Sequence, residues 1–439
     1  MNTKNDLLSL SPQQFINYLR KEKIKKFYFV YQPQNKTMKS SHTQLQPMAD
    51  FLVSDTRDFM KHEGLFFKVS EKYDTLLGAS VHRTNRGQAA GGVRYWNYET
   101  MEDYLRDGLR LAKGMTRKNA LAGLWWGGGK GVMAHNPEID KYDAKIREYL
   151  YKQYGAFIST LQGCYVTAED VGTHVTDMGN VFSKTRFTTC IPAEVGGSGN
   201  PSVPTARGVV VGMEAGLDFI GEAGLEGKTI AVQGMGNVAE PLIGFLFEKN
   251  VAKIIATDVN AEIVSKVKEK FSGNNLQANV VDQNDDSIFS AECDILSPCA
   301  TGAILNPRTI PLLNAKIICG AANNQLEDSM CDDRFLQKRG IIYIPDFLTN
   351  RMGIVNAANE QYGYVNNDPF FERHLTNDWE HSIYQTALKV LNQSKETGET
   401  TCQVAIKLAD ELSLQDHPIF GHRGEQIIAT LVENHWHLN

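Results

Sequence analysis

Lys118, in the segment Lys113-Gly114-Met115-Thr116-Arg117-Lys118-Asn119, lies twelve residues before Lys130, with Gly127-Gly128-Gly129 just before the second lysine. Glycine permits tight folding, so the reading is a turn at Gly127–Gly129 that lets both ammonium groups face one pocket. Two cations in a partly buried site depress each other's pKa, and desolvation lowers it further. Bringing a lysine to roughly 7–8 means favouring its neutral form by about 4 kcal/mol. A lysine so tuned is a general base, while a fully charged neighbour holds a carboxylate. On spacing alone, the same pair also reads as two surface lysines around a turn.

A second constellation is more local. Gly234-Met235-Gly236-Asn237-Val238-Ala239 follows an apolar run, Thr229 to Gln233, and opens a helical pattern reaching about Lys249. Gly234 permits the tight turn, Gly236 lets a pyrophosphate approach the backbone, and small Ala239 lets helix pack on strand. The helix start, with Asn237 and Val238, offers free N–H groups and positive partial charge to phosphates. Pro241 falls early in that helix, where a missing N–H costs least. Asp258 ends the next strand, placed to bond the adenine-ribose hydroxyls and to repel a 2′-phosphate. The cofactor read from this unit is NAD rather than NADP.

These residues need a scaffold. Strands are predicted at Gly64–Val69, Thr75–Arg83 and Val93–Trp96, and a helix from Glu99, with weaker helical pattern from about 12 to 63. Residues 185–208, rich in glycine, proline and threonine, suit an ordered domain connection. Beyond them, short apolar runs at 229–233, 254–257, 294–298, 317–319 and 341–344 alternate with helix-length segments, as in a parallel sheet covered on both faces. The tail from about 367 is helical again. The fold class is therefore α/β with two domains: a catalytic domain over about 1–190, to which helices of 360–439 return, and a doubly wound Rossmann domain over about 200–350. A cleft separates them.

Composition narrows the function. A chain of 439 residues with 42% hydrophobic and 22% charged residues is globular, and a net charge of -6 disfavours nucleic acid as the main ligand. The basic run Arg20, Lys21, Lys23, Lys25, Lys26 reads as a solvated helix face. Seven cysteines form no CxxC pair and no zinc-ligand spacing, which fits a reducing cytoplasm and no metal. The N-terminus shows no secretory signal, and no apolar run is long enough to span a bilayer.

The lysine segment, with Gly91-Gly92-Val93-Arg94, Thr167-Ala168-Glu169-Asp170-Val171-Gly172-Thr173, Gly196–Ser202, Gln233–Ala239, Ala321–Leu326 and Pro345-Asp346-Phe347, resembles the glutamate/leucine/phenylalanine/valine dehydrogenase family. The likeness covers about 64–430 and is greatest to leucine-type members. It implies that Lys118 binds the substrate α-carboxylate, beside Gly92 and Asn350. Lys130 would be the low-pKa lysine that activates water, and Asp170 would shuttle protons to the substrate nitrogen. Thr205 and Asn324 would flank the nicotinamide. It further implies oxidative deamination of an amino acid to a 2-oxo acid and ammonia, in a homo-oligomer.

Two departures bear on substrate. Glutamate-specific members carry a lysine where this chain has Ala90, so an apolar amino acid, leucine or branched-chain, is expected. Leucine-type enzymes read Asn-Ala-Gly-Gly where this chain has Asn350-Arg351-Met352-Gly353, and the bulkier pair is expected to reshape the pocket. Alternatives are a phenylalanine- or valine-preferring member, a 2-hydroxyacid dehydrogenase sharing the cofactor site, or an inactive NAD-binding regulatory homologue. His135 and His174 read as packed or solvated histidines, Trp125 and Trp126 as core, and Glu169 as no partner to Asp170.

Overall fold

The computed structural model describes residues 6–438 apart from Tyr362 and Tyr364, so the extreme ends of the two outer domain ranges lie outside the described residues. The first unit is built on an eight-stranded mixed sheet: β1 (Lys26–Gln32), β2 (Thr37–Ser40), β3 (Gly64–Val69), β4 (Leu76–Arg83), β5 (Ala89–Ala90), β6 (Val93–Trp96), β7 (Gly127–Ala134) and β8 (Tyr165–Val166). Its order is β2-β1-β3-β4-β7-β5-β8, with β6 also paired to β7. The helix Met101–Leu121, capped by Thr100, covers one face, and Ala144–Thr160 covers the other.

Two expectations fail here. The pattern over 12–63 is not helical throughout, because the stretch Lys26–Gln32 is a strand buried on both faces. Phe27 and Phe29 enter the core beneath Met101–Leu121, while Tyr28 and Val30 enter the opposite core. A strand covered twice loses the alternation that would betray it. The basic run accordingly straddles a helix end and the start of β1.

Gly127–Gly129 is not a turn either. All three residues lie inside β7, every position of which is buried. The glycines serve close approach instead: a Cβ on Gly128 would sit 2.0 Å from the Thr116 hydroxyl and 2.2 Å from its backbone nitrogen. Helix and strand backbones therefore nearly touch, and Asn119 Nδ2 donates to the Gly127 carbonyl at 2.6 Å. That contact, not a turn, brings the two lysines to one side of the sheet.

The second unit is a six-stranded parallel sheet in the order β11-β10-β9-β12-β13-β14. Its strands are β9 (Thr229–Gln233), β10 (Lys253–Asp258), β11 (Leu276–Val280), β12 (Ile295–Pro298), β13 (Ile317–Ile318) and β14 (Ile342–Tyr343). The order reverses between β9 and β12, the switch point at which doubly wound sheets bind ligands. The helix Met352–Gln361 joins the units: Met352 and Val355 pack in the core of the second, Ile354, Ala357 and Ala358 in that of the first. Helix Ile383–Thr397 packs on Ser202–Phe219, Thr401–Leu412 packs on Met101–Leu121, and Ile428, Leu431 and Trp436 enter the core of the first sheet. Among the described residues, no helix is long and apolar enough to cross a membrane, and no group of three metal-ligating side chains assembles.

Candidate active site

Lys130 lies mid-strand in β7, opposite Ser80 of β4, and is 3% exposed. Its Nζ reaches Asp170 Oδ1 at 2.8 Å. Asp170 follows β8, where Gly92 leaves it room: a Cβ on Gly92 would stand 2.4 Å from the Glu169 carbonyl and 2.8 Å from the Asp170 Cβ. Arg94 of β6 donates from Nε to Asp170 Oδ2 at 3.2 Å and from Nη1 to both oxygens of Asp107 at 3.1 and 3.2 Å. Asp107, buried in Met101–Leu121, also accepts from the Tyr98 hydroxyl at 2.8 Å. Burial pulls the Asp170 carboxyl upward, but the Lys130 and Arg94 charges outweigh it and hold it below its ordinary value. A carboxylate so held stays ionised and is placed to take a proton from a group presented beside Lys130.

Lys118 lies on the last turn of Met101–Leu121. Burial depresses its ammonium to about 8; the charge of Lys130 adds to the fall, and Asp346 and Asp170 oppose it. The charge of one lysine thus depresses the other at Lys118. Lys118 Nζ donates to Asn323 Oδ1 at 3.3 Å, and Asn350 Nδ2 donates to the same oxygen at 2.9 Å. Asn350 Nδ2 also reaches the Ala321 carbonyl at 3.0 Å, while its Oδ1 is buried without a protein partner. Asp346, its carboxyl raised by burial, accepts from the Asn324 amide at 2.9 Å. Lys118 and Asn350, one from each unit, thus meet across the cleft on Asn323.

Arg351 and Met352, expected to reshape the pocket, turn away from it. Both are fully buried. Met352 packs into the space left by Gly208. The Arg351 guanidinium donates to the Leu121 carbonyl at 2.6 Å, to the Thr386 hydroxyl at 3.4 Å and to the His381 carbonyl; burial lowers its pKa to about 9.

The glycine turn after β9 has the backbone expected of it. Gly234 adopts φ +87°, and a Cβ there would come 2.7 Å from the Ala300 Cβ, whereas a Cβ on Gly236 would meet nothing within 4 Å. A cradle open at Gly236 fits a diphosphate lying against the start of helix Ala239–Glu248, beside exposed Asn237 and half-buried Val238. Asp258 ends β10 and accepts from the Met235 amide at 2.7 Å and the Asn260 amide at 2.9 Å, which fixes the carboxylate beside the turn. Thr205, on helix Ser202–Phe219, is 8% exposed, its hydroxyl donating to the Pro201 carbonyl at 2.8 Å. Asn324 takes a left-handed φ of +53°.

Sequence reasoning gave no role to Arg94, Asp107, Asn323 or Asp346. Three of them sit inside motifs that were legible; Asp107, an acid between Leu105 and Leu109, carried no signal of its burial. His135 is a packed histidine, bonded to Asn97 Oδ1 at 2.6 Å and the Ile139 carbonyl at 3.2 Å, and His174 is an exposed N-cap. Trp126 is core, but Trp125 is 39% exposed beneath the Arg86 guanidinium. Burial raises Glu169 to about 7, and it makes no contact with the Asp170 side chain that would couple them as a hydrogen-bonded pair.

Comparison with known proteins agrees with this geometry. The family described as Glu/Leu/Phe/Val dehydrogenase, dimerisation domain, matches residues 70–187, and Glutamate/Leucine/Phenylalanine/Valine dehydrogenase matches 196–414. The chain belongs to this family. As a glutamate/leucine/phenylalanine/valine dehydrogenase it is a member of a group of pyridine-nucleotide-dependent amino-acid dehydrogenases. It is 44% identical to leucine dehydrogenase of Geobacillus stearothermophilus over 333 residues, 76% of this chain and 85% of that enzyme. Against phenylalanine dehydrogenase of Lysinibacillus sphaericus the identity is 37% over 327 residues, 74% of this chain and 82% of the relative. The crystal structure of L-tryptophan dehydrogenase from Nostoc punctiforme superposes with a TM-score of 0.66 at 34% identity, covering 80% of this chain and 96% of that one. The segments before residue 70 and after 414 lie outside both family matches, and in this dehydrogenase they fold together: Trp436 packs on Phe66, and Lys26 of β1 lies 4.9 Å over its ring.

Proposed function

We propose that the chain catalyses the reversible, NAD-dependent oxidative deamination of an apolar L-amino acid, leucine or a branched-chain relative, to its 2-oxo acid and ammonia. The observation that carries this reading is the meeting of Lys118, Lys130 and Asp170 beside Asn323 and Asn350 at the boundary between the two units. Gly234, Gly236, Asn237, Val238 and Asp258 would hold the dinucleotide, with Thr205 and Asn324 near its nicotinamide end; Asp258 favours NAD over the phosphorylated cofactor. A nicotinamide held there would supply a hydride acceptor for the bond that breaks at the α-carbon. Lys118 and Asn350 anchor the α-carboxylate, with Gly92 letting the chain approach closely. Lys130, its proton passed to Asp170, would take one from the water that attacks the imine carbon and then, as an ammonium, polarise the resulting carbonyl oxygen. Asp170 carries protons to and from the nitrogen, held ionised until needed by Lys130 and Arg94. Burial of the site excludes bulk water from the imine.

The division of labour we assign is substrate binding to about 1–190 with the returning C-terminal helices, and dinucleotide binding to about 200–350. A homo-oligomer in the cytoplasm completes the reading, supported by the dimerisation domain that matches 70–187 and by free cysteines throughout the described chain. Ala90, buried where glutamate-specific members carry a lysine, supports an apolar side chain. The tryptophan- and phenylalanine-specific relatives keep an aromatic substrate as the second reading. The test is NADH oxidation with ammonia and a panel of 2-oxo acids, from branched aliphatic to aromatic to 2-oxoglutarate. Ammonia-dependent turnover with an apolar acid is expected. NADH binding without turnover on any of them overturns the reading in favour of a regulatory protein.

A further inference from the structure

Arg351 is a buried cation without a buried anion. It is 0% exposed, its acceptors among the described residues are carbonyls and a hydroxyl with no carboxylate, and its Nε has no partner there. Placing such a group in a core is unfavourable, and an apolar side chain of like volume would serve packing better. What a guanidinium supplies instead is direction, through a rigid fork of donors.

That fork reaches from the second unit into the first. One arm ends on the carbonyl of Leu121, the last residue of the helix that carries Lys118, at 2.6 Å; another ends on the His381 carbonyl. A carbonyl at a helix C-terminus has no partner within its helix and attracts positive charge. A closed circuit results. Lys118 donates to Asn323 Oδ1, as does Asn350; Asn350 is joined by a peptide bond to Arg351; Arg351 holds Leu121, three residues from Lys118. Arg351 also opens the helix Met352–Gln361, whose two faces lie in the two cores.

We infer that Arg351 is a positioning residue, locking the helix of Lys118 to the Asn350 segment so that ammonium and amide keep a fixed separation for the substrate carboxylate. The inference rests on the dehydrogenase reading for its substrate, and it is specific to a chain with Arg351 where leucine-type enzymes have a small residue.

Arg351→Met, which keeps the volume and removes the donors, tests it. The folded variant is expected to lose no thermal stability, to bind NADH unchanged, and to show a KM for the 2-oxo acid raised about tenfold or more, since small misplacements in a binding site cost that much. Amide hydrogen exchange over 119–124 should quicken. Arg351→Lys, reaching a single carbonyl, should fall between. A wild-type KM and unchanged exchange in folded Arg351→Met overturn the inference, and so does a lowered melting temperature with no change in KM. Should the methionine variant not fold, exchange in the wild-type enzyme decides: amides at 119–124 as slow as the middle of Met101–Leu121 support the lock, and a frayed end overturns it. A wild-type protein without turnover sinks the dehydrogenase reading alone, because the exchange arm needs no activity.

Discussion

The two halves of the site are made in opposite ways. The proposed dinucleotide cradle is backbone from one contiguous stretch, Gly234 to Asp258, with a single carboxylate at its end. The lysine wall is side chains gathered from β6, β7, the loop after β8 and two turns of a long helix, held by an ion network through Arg94 and Asp107. Backbone cradles depend on conformation and tolerate neighbours; side-chain networks depend on each member, because a buried charge left alone is costly. Substitutions should therefore fail differently in the two regions.

The largest expected difference is in turnover. Lys130→Ala and Asp170→Asn should each lower kcat by about a thousandfold, in the range of a lost general acid or base, with the NADH Kd unchanged. Steady-state rates beside a fluorescence titration check this, and near wild-type rates in either variant would dissolve the contrast. Next comes the cradle. Asp258→Ser should raise the KM for NAD on the order of tenfold and relieve exclusion of the 2′-phosphorylated cofactor, with kcat little altered. A collapse of kcat there would mean the two regions are not separable.

A subtler break lies in pH. If Lys118 holds the carboxylate as an ammonium, substrate affinity should fall as pH rises through about 8, and Lys118→Met should lack that limb at a uniformly weaker KM. Arg94→Gln should move the acid limb of kcat/KM upward, because the guanidinium that helps hold Asp170 down is gone. An acid limb that stays put in Arg94→Gln would leave Asp170 to Lys130 alone.

A separate effect concerns stability rather than rate. His62 and His82 are buried and neutral between β4 and the helix of Lys118, their rings 4.6 Å apart; burial pushes His62 to about 3 and His82 well below its ordinary value. The unfolded chain takes up these protons near pH 6.5 and the folded chain does not. Stability is therefore full above that pH and declines below it, by up to about 1.4 kcal/mol per pH unit for each histidine. Urea midpoints between pH 7 and 5, read by tryptophan fluorescence, should fall accordingly; a flat profile removes this weakness from the lysine wall.

The same contrast explains what the sequence disclosed. Strand, turn, helix and terminal acid of the cradle are consecutive, so Gly234, Gly236 and Asp258 announced their arrangement and the parallel sheet around them. The lysines did not. Their spacing suggested a glycine turn, whereas Gly128 admits the backbone of Thr116, and Gly127 and Gly129 admit Arg83, Gly87, Ala89 and Tyr165, contacts of the folded sheet that no local pattern marks. β1 was hidden because burial on both faces erased its period. Asp107 looked like any helix acid, since nothing local marks the arginine that reaches it from β6.

Trp436 sits in the core of the first sheet, against Phe66 and Phe157, with its indole nitrogen bonded to the Thr160 hydroxyl at 3.0 Å. Synthesis runs from N- to C-terminus, so the strands of that core emerge before the second sheet and Trp436 emerges after it. The dinucleotide-binding sheet, wholly encoded between, can close while the older half still waits for its plug. The sheet made before it thus matures after it, and is the one needing shelter from aggregation in the interval.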